Sequence, residues 1–338
     1  MKFLKSKLNI IFLILGITLF GLFLYKFGIE AFNIIKYNIN FFYLSLFILV
    51  TAIGIVPNTM KIKVILDSYG YKINLFKLIK QHVSAFAVSY VTPASRLGGE
   101  PLKVYMLKKE TNVDYKTGTT AVILDKFVEV LGSALYGIIG LILLIMLFGI
   151  PLYFKLIFGF LVFLALFILY TIYYRVKKGK GVFSNVFLFL RLNRIRDWNK
   201  LTPTLRDIEN KMGEFFRNHK KSFALSCFFY IINGIFFIIE FKFLLLSIGV
   251  TASIFQIILM INVWGLMNFV PTPASLGFLE AGQFGLFSIL KGDGATGLAM
   301  TFVLRATYLL VVCLGFIFII LFSGKQLLKK KFKTRKVA

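Results

Sequence analysis

Four ionisable side chains sit inside runs that are otherwise apolar: Asp125, Lys126 and Glu129 in one, Arg305 in another. At the centre of a helix in lipid each costs about 2.5–3.5 kcal/mol unless it is paired or wet. Charges kept against that cost mark ion pairs, proton carriers or contacts to a charged ligand. Lys126 and Glu129 are three residues apart and can pair on one helix face, whereas Asp125 and Glu129, four apart, repel if both are ionised. A proton held by one carboxyl and a fixed ion pair are both compatible with this spacing. Asp125 and Arg305 are 180 residues apart. We expect this acid and this base to approach each other or to share one polar cavity.

That spacing recurs elsewhere. Thr92-Pro93-Ala94-Ser95 returns as Thr272-Pro273-Ala274-Ser275, and a glutamate follows each serine five residues on, as Glu100 and Glu280. The match extends outward: Ser68-Tyr69-Gly70 pairs with Ser247-Ile248-Gly249, and Asn74 to Ile79 with Ser253 to Ile258, at an offset of 179. The candidate ligand-binding residues of the first segment are Arg96, Gly98, Gly99 and Glu100, followed by Pro101. Those of the second are Asn268, Pro271, Thr272, Pro273, Ser275, Gly277 and Glu280. Proline removes a backbone donor and glycine lets the chain turn tightly with its amides exposed. A half-helix starting at such a break aims the positive end of its dipole at an anionic group such as a lipid phosphate. The competing reading makes both segments packing turns.

The elements that must position these residues follow from composition. The 338 residues are 58% hydrophobic and include 40 phenylalanines, with a net charge of +26. Such a chain needs lipid as its solvent, and in lipid every backbone amide must be satisfied internally. Long apolar runs select helices over a barrel. The expected fold is all-α: a polytopic membrane helix bundle, one integral membrane domain over 1–338. Six full spans are expected at about 8–27, 39–58, 117–149, 151–174, 222–240 and 295–323. Two interrupted stretches, about 75–107 and 254–290, read as re-entrant helical hairpins whose halves are each too short to cross. Repeat one covers about 41–149 and repeat two about 220–323. Because three spans separate their starts, the copies should face opposite ways. Consistent with inversion, residues 61–80 hold five lysines where 240–259 hold only Lys242. Inverted repeats with broken helices build many transporters, with the substrate at the repeat interface.

Charge sets the orientation. The loop 175–221 carries 13 Lys or Arg against four acids, and the tail 325–338 carries seven basic residues and no acid. Both belong in the cytoplasm, as does the N-terminus with Lys2, Lys5 and Lys7. The first apolar run is long enough to span and lacks a small-residue cleavage site, so it reads as an uncleaved helix rather than a signal peptide. The basic residues lie beside spans, where they face anionic lipid headgroups, and form no basic domain with aromatic platforms, which argues against nucleic acid. Around Val182 to Trp198 the loop has the pattern of an amphipathic helix lying on anionic lipid. Glu240 and Lys242 are read as snorkelling residues at the outer interface. Cys227, Cys313, His82 and His219 are isolated and suggest neither metal nor disulfide. With no Walker loop, HExxH or GxSxG motif, the chain is read as a non-enzyme without a cofactor.

On Arg96-Leu97-Gly98-Gly99-Glu100-Pro101, Asp125-Lys126, Pro271 to Glu280 and Arg305, the chain resembles the lysylphosphatidylglycerol synthase transmembrane-region family, the flippase half of the bacterial multiple peptide resistance factor. The resemblance covers nearly the whole chain. It implies a bundle with two re-entrant hairpins that moves an aminoacylated phospholipid between leaflets. A basic tail stands where those relatives carry a soluble aminoacyl-transferase domain, which implies a stand-alone flippase-type domain. Similar regions occur beside glycosyltransferases acting on polyprenyl phosphates, so a lipid-linked sugar is a second cargo class. Arg96, Lys126 and Arg305 are expected on the phosphate, and Glu100, Asp125, Glu129 and Glu280 on cationic headgroup parts or protons. The alternatives are a secondary transporter of a small solute or ion, and a non-transporting accessory to a membrane lipid or glycan transferase. A homodimer and a separate lipid-modifying enzyme are the partner classes beyond membrane lipids. The expected location is the cell membrane, multi-pass, with both termini cytoplasmic.

Overall fold

Apolar runs and breakers translate into helices and turns along nearly the whole chain. The computed structural model describes residues 2–93, 97–147, 152–178 and 198–335. Among them are eleven α-helices and no strand. They are α1 (Lys2–Asn38), α2 (Phe41–Ser68), α3 (Leu75–Val91), α4 (Glu100–Thr111), α5 (Tyr115–Leu147), α6 (Leu152–Lys177), α7 (Trp198–Asn218), α8 (Lys220–Ser247), α9 (Ile254–Met267), α10 (Phe278–Lys291) and α11 (Gly294–Arg335). Among the described residues five helices are long and apolar enough to cross a membrane: Ile10–Asn38, Phe41–Ser68, Tyr115–Leu143, Lys220–Ser247 and Gly294–Gly324. The 26-residue α6 occupies the run expected at 151–174. Its Phe160, Phe163 and Phe167 are each more than half exposed. Water would penalise that surface, whereas acyl chains do not.

The two interrupted stretches are the short helices. At about 1.5 Å per residue, the 14 residues of α9 and of α10 reach about 21 Å each, short of a hydrocarbon core of about 30 Å. The 12 residues of α4 reach about 18 Å.

The order long helix, two short helices, long helix occurs twice, as α2 to α5 and again as α8 to α11. The first long helix ends alike in both stretches. Gly70 and Gly249 both adopt positive φ, at 86° and 75°. The next residue closes the helix end in the same way each time, Tyr71 N donating to Leu66 O and Val250 N to Leu245 O. The preceding serines match too, Ser68 Oγ donating to Ile65 O and Ser247 Oγ to Leu244 O. Glycine is required because a Cβ would be strained in the left-handed conformation that ends both helices.

The chain divides into two compact units. Unit 1 holds Met1–Val50, Phe76–Lys103 and Ile239–Ala338, and unit 2 holds Thr51–Leu75 and Val104–Ile238. The division cuts α2, α4 and α8 and parts Leu75 from the rest of α3, so neither unit is one run of long, short, short and long helices. Both TPAS segments fall in the ranges of unit 1. Within unit 1, α1 runs against α10 and α11 through Phe12–Phe278, Phe20–Phe302 and Phe27–Phe284 ring contacts. Gly16 on α1 meets the backbone of Leu276 and Gly277 so closely that a side chain at either glycine would collide.

Within unit 2, α7 lies inside the basic loop, against α5 and α6. Met212, Phe215 and Phe216 are at most 2% exposed, and Phe216 meets Phe127 and Tyr173 at 5.4 and 5.0 Å between ring centroids. This part of the loop therefore buries its apolar face in protein rather than laying it on lipid. Residues 182–197 of the expected amphipathic segment lie outside the described residues.

Candidate functional site

The four ionisable residues singled out in the apolar runs fall into two clusters among the described residues, one in each unit. In unit 2 the centre is a residue that loop counting assigned to the cytoplasm. α2 continues ten residues past the expected end of its span and carries Lys61 into the protein, where it is 0% exposed. Its Nζ lies 2.9 Å from Glu129 Oε1 and 3.5 Å from Asp125 Oδ1, both on α5. Lys126 Nζ donates to the other oxygen of Glu129 at 2.7 Å. Two lysines and two carboxylates thus cancel within one cluster, which answers the repulsion expected between Asp125 and Glu129. The Lys61 ammonium also lies over the Tyr230 ring, 5.4 Å from its centroid. The Ser226 hydroxyl donates to the Lys61 carbonyl at 3.3 Å, tying α8 to α2. Exposure splits the cluster: the side chains of Lys61 and Asp125 are 1% and 2% exposed, those of Lys126 and Glu129 27% each.

In unit 1 the centre is Arg305 on α11. Its Nε and Nη2 donate to the two oxygens of Glu280, at 2.5 and 2.9 Å, a bidentate pair with the glutamate fully buried. Its Nη1 donates to Ala274 O at 2.9 Å and Nη2 to Ser275 O at 3.5 Å. Tyr90 of α3 also interacts with this guanidinium. The two carbonyls belong to a single 3-10 turn, Pro273–Ser275, in which Ala274 and Ser275 hold positive φ of 52° and 53°. Left-handed backbone costs a non-glycine residue roughly 1–2 kcal/mol, so the turn persists because neighbours hold it. Arg305 is one such neighbour; Asn268 is another, accepting from Ser275 Oγ at 2.9 Å. Pro273 starts the turn and Gly277, φ 78°, ends it. The Gly277 amide, expected to face a ligand, donates instead to Glu280 Oε2 at 2.8 Å.

Hairpin one is tight for the same kind of reason. Gly99 N donates to Ser89 Oγ at 2.8 Å, and a Cβ at Gly99 would run into the Ala85 carbonyl. A Cβ at Gly98 would strike Thr92 Oγ1. The start of α4 has therefore returned alongside the last two turns of α3, and Glu100 occupies the first turn of α4. Arg96 lies outside the described residues.

The structure thus brings together Asp125, Lys126 and Glu129 in one place and Asn268, Ser275, Gly277, Glu280 and Arg305 in another, with Pro271 and Pro273 shaping the turn. Asp125 and Arg305 each find an ion-pair partner inside their own unit, Lys61 and Glu280 respectively. Glu240 does not snorkel: it is 6% exposed and accepts from the Tyr308 hydroxyl at 3.3 Å. Sequence reasoning missed Lys61 and the burial of Glu240. The signal was present, since the two stand at the repeat offset of 179 and carry opposite charge.

Residues 9–315 match the family described as Lysylphosphatidylglycerol synthase TM region. No curated protein and no solved structure matches the chain.

Proposed function

Because the chain belongs to the lysylphosphatidylglycerol synthase TM region family, we propose that it is a flippase-type transporter. Its cargo is a lipid with a polar, phosphate-bearing headgroup, an aminoacyl-phospholipid or a polyprenyl-phosphate-linked sugar, carried between leaflets while the acyl chains stay in the bilayer. The observation that carries this reading is the half-open charge cluster on α5. Lys126 and Glu129 are accessible inside a candidate span, with Lys61 and Asp125 buried behind them. A charge left accessible at that depth implies a wet or headgroup-lined surface. Membrane domains of this family are often flippase-like and not catalytic, which supports the same class.

In this reading Lys126 meets the phosphate oxygens and Glu129 meets cationic headgroup parts, while Lys61 and Asp125, buried behind them, hold that pair in place. Arg305, its donors engaged by Glu280 and the turn carbonyls, positions hairpin two. The repeats face opposite ways, so that each presents its hairpin from a different leaflet. The protein resides in the cell membrane with both termini in the cytoplasm, where its basic loops adjoin anionic headgroups.

The test is reconstitution of the purified protein into vesicles containing fluorescent lipids of different headgroup. The expected result is faster leaflet exchange for at least one phosphate-bearing headgroup, lost in Glu129→Ala. Exchange of every headgroup at the protein-free rate would overturn the reading.

A further inference from the structure

Beyond the charge cluster, the polar residues of α5 continue along one side of the helix. Lys126, Glu129, Ser133 and Tyr136 are spaced three, four and three residues apart. At about 100° per residue they occupy an arc of about 80°, and from first to last they rise about 15 Å, half the thickness of a hydrocarbon core. The opposite side of α5 is apolar and exposed: Leu135 is 52% and Ile142 50% accessible. Lipid-facing and polar sides are thus separated within one candidate span.

α8 supplies the other wall. Tyr230 spans from the Lys61 ammonium to Ser133, whose Oγ is 3.2 Å from the Tyr230 hydroxyl. Its ring fits there because a Cβ at Gly132 would overlap it. Tyr136 lies next, its ring 6.0 Å from that of Tyr230, with its hydroxyl over Gly234, where a Cβ would strike it. Ser133 remains exposed despite its hydrogen bond. The Tyr136 hydroxyl, half-buried, makes no hydrogen bond among the described residues. Helix association alone would close these groups on each other. A phenol in the middle of a span with an unused donor calls for a partner from outside the protein.

Resting on the transport reading above, we infer that the α5–α8 seam of unit 2 is a hydrated headgroup track. The phosphate-bearing headgroup moves between the Lys126–Glu129 end and Tyr136 by exchanging hydrogen bonds with the hydroxyls of Tyr230, Ser133 and Tyr136. Glycine at 132 and 234 keeps the tyrosines in place along it.

Thiol accessibility tests the track without requiring transport. In a chain carrying Cys227→Ala and Cys313→Ala, single variants Ser133→Cys, Tyr136→Cys, Leu135→Cys and Ile142→Cys are reconstituted and exposed to a charged, membrane-impermeant methanethiosulfonate reagent. The seam cysteines are expected to react at least tenfold faster than the lipid-facing pair, of which Leu135→Cys lies at the depth of Tyr136→Cys. Equal rates would overturn the track. Tyr136→Phe, which keeps the ring and loses only the hydroxyl, is expected to slow lipid exchange roughly tenfold. Labelled seam cysteines with no headgroup exchanged would defeat the transport reading and leave a wet seam. Exchange with an unlabelled seam would defeat the track alone.

Discussion

The two charge clusters use the same chemistry to opposite ends. In unit 1 a guanidinium, a carboxylate and two turn carbonyls satisfy one another, with Glu280 fully buried and Arg305 12% exposed. In unit 2 two ammonium groups and two carboxylates also balance, but half of the set is accessible. Arginine suits the first role because its planar fork can hold a carboxylate and two carbonyls at once. Lysine suits the second, as a point charge on a flexible stem that can change partner. The difference teaches that an intramembrane charge is informative about function through its residual accessibility, not through its presence.

Variants can break this comparison. The largest effect is expected in unit 1: Glu280→Ala leaves a buried guanidinium without its counter-charge and should cost about 3–5 kcal/mol, read as a loss of thermal stability in detergent. Arg305→Met together with Glu280→Leu should recover much of that loss. If the double variant is no more stable than Glu280→Ala, the pair is not the clasp described here.

In unit 2 the order of effects should reverse. Lys126→Ala removes a partly exposed pair worth at most about 1 kcal/mol of stability, yet should lower lipid exchange by tenfold or more. A variant with full activity would move the cargo contact away from α5. Gly132→Ala sharpens the same point from the packing side. Its methyl displaces Tyr230, so exchange should fall while Lys126 and Glu129 keep their pair. Unchanged exchange would detach Tyr230 from the site.

The smallest effect is expected outside the bilayer, at Asp114 before α5. Burial raises its pKa, but hydrogen bonds from Thr117 and Tyr71 and the nearby Lys211 outweigh that and hold it below the usual carboxylate range. Its Oδ2 caps α5 by accepting from Thr117 N at 2.9 Å. A depressed folded value means that the contribution is present above the ordinary aspartate pKa of about 3.9 and is lost as pH falls through the lower folded one. Asp114→Ala should cost about 1 kcal/mol at neutral pH. It should also flatten the acid limb of the stability profile, and an unaltered limb would remove Asp114 from that account.

Much of this protein was legible from residue order. Run length and hydropathy determine that the chain is helical and spans a membrane, because lipid leaves the backbone no other way to satisfy its amides. The Gly70 and Gly249 caps are local patterns, so their conformations follow from a few neighbouring residues. Side-chain partners are not local. Lys61 looked like one more basic residue near a span end until α2 ran on past Pro57, and Glu129 lies 68 positions away from it. Arg305 could be placed opposite Asp125 by repeat arithmetic, yet it pairs with Glu280 because a hairpin turn brings that carboxylate to α11. Sequence placed Asp125, Lys126, Glu129 and Arg305 inside apolar runs; packing between distant segments added Lys61 to them and decided which of those charges are consumed and which stay available.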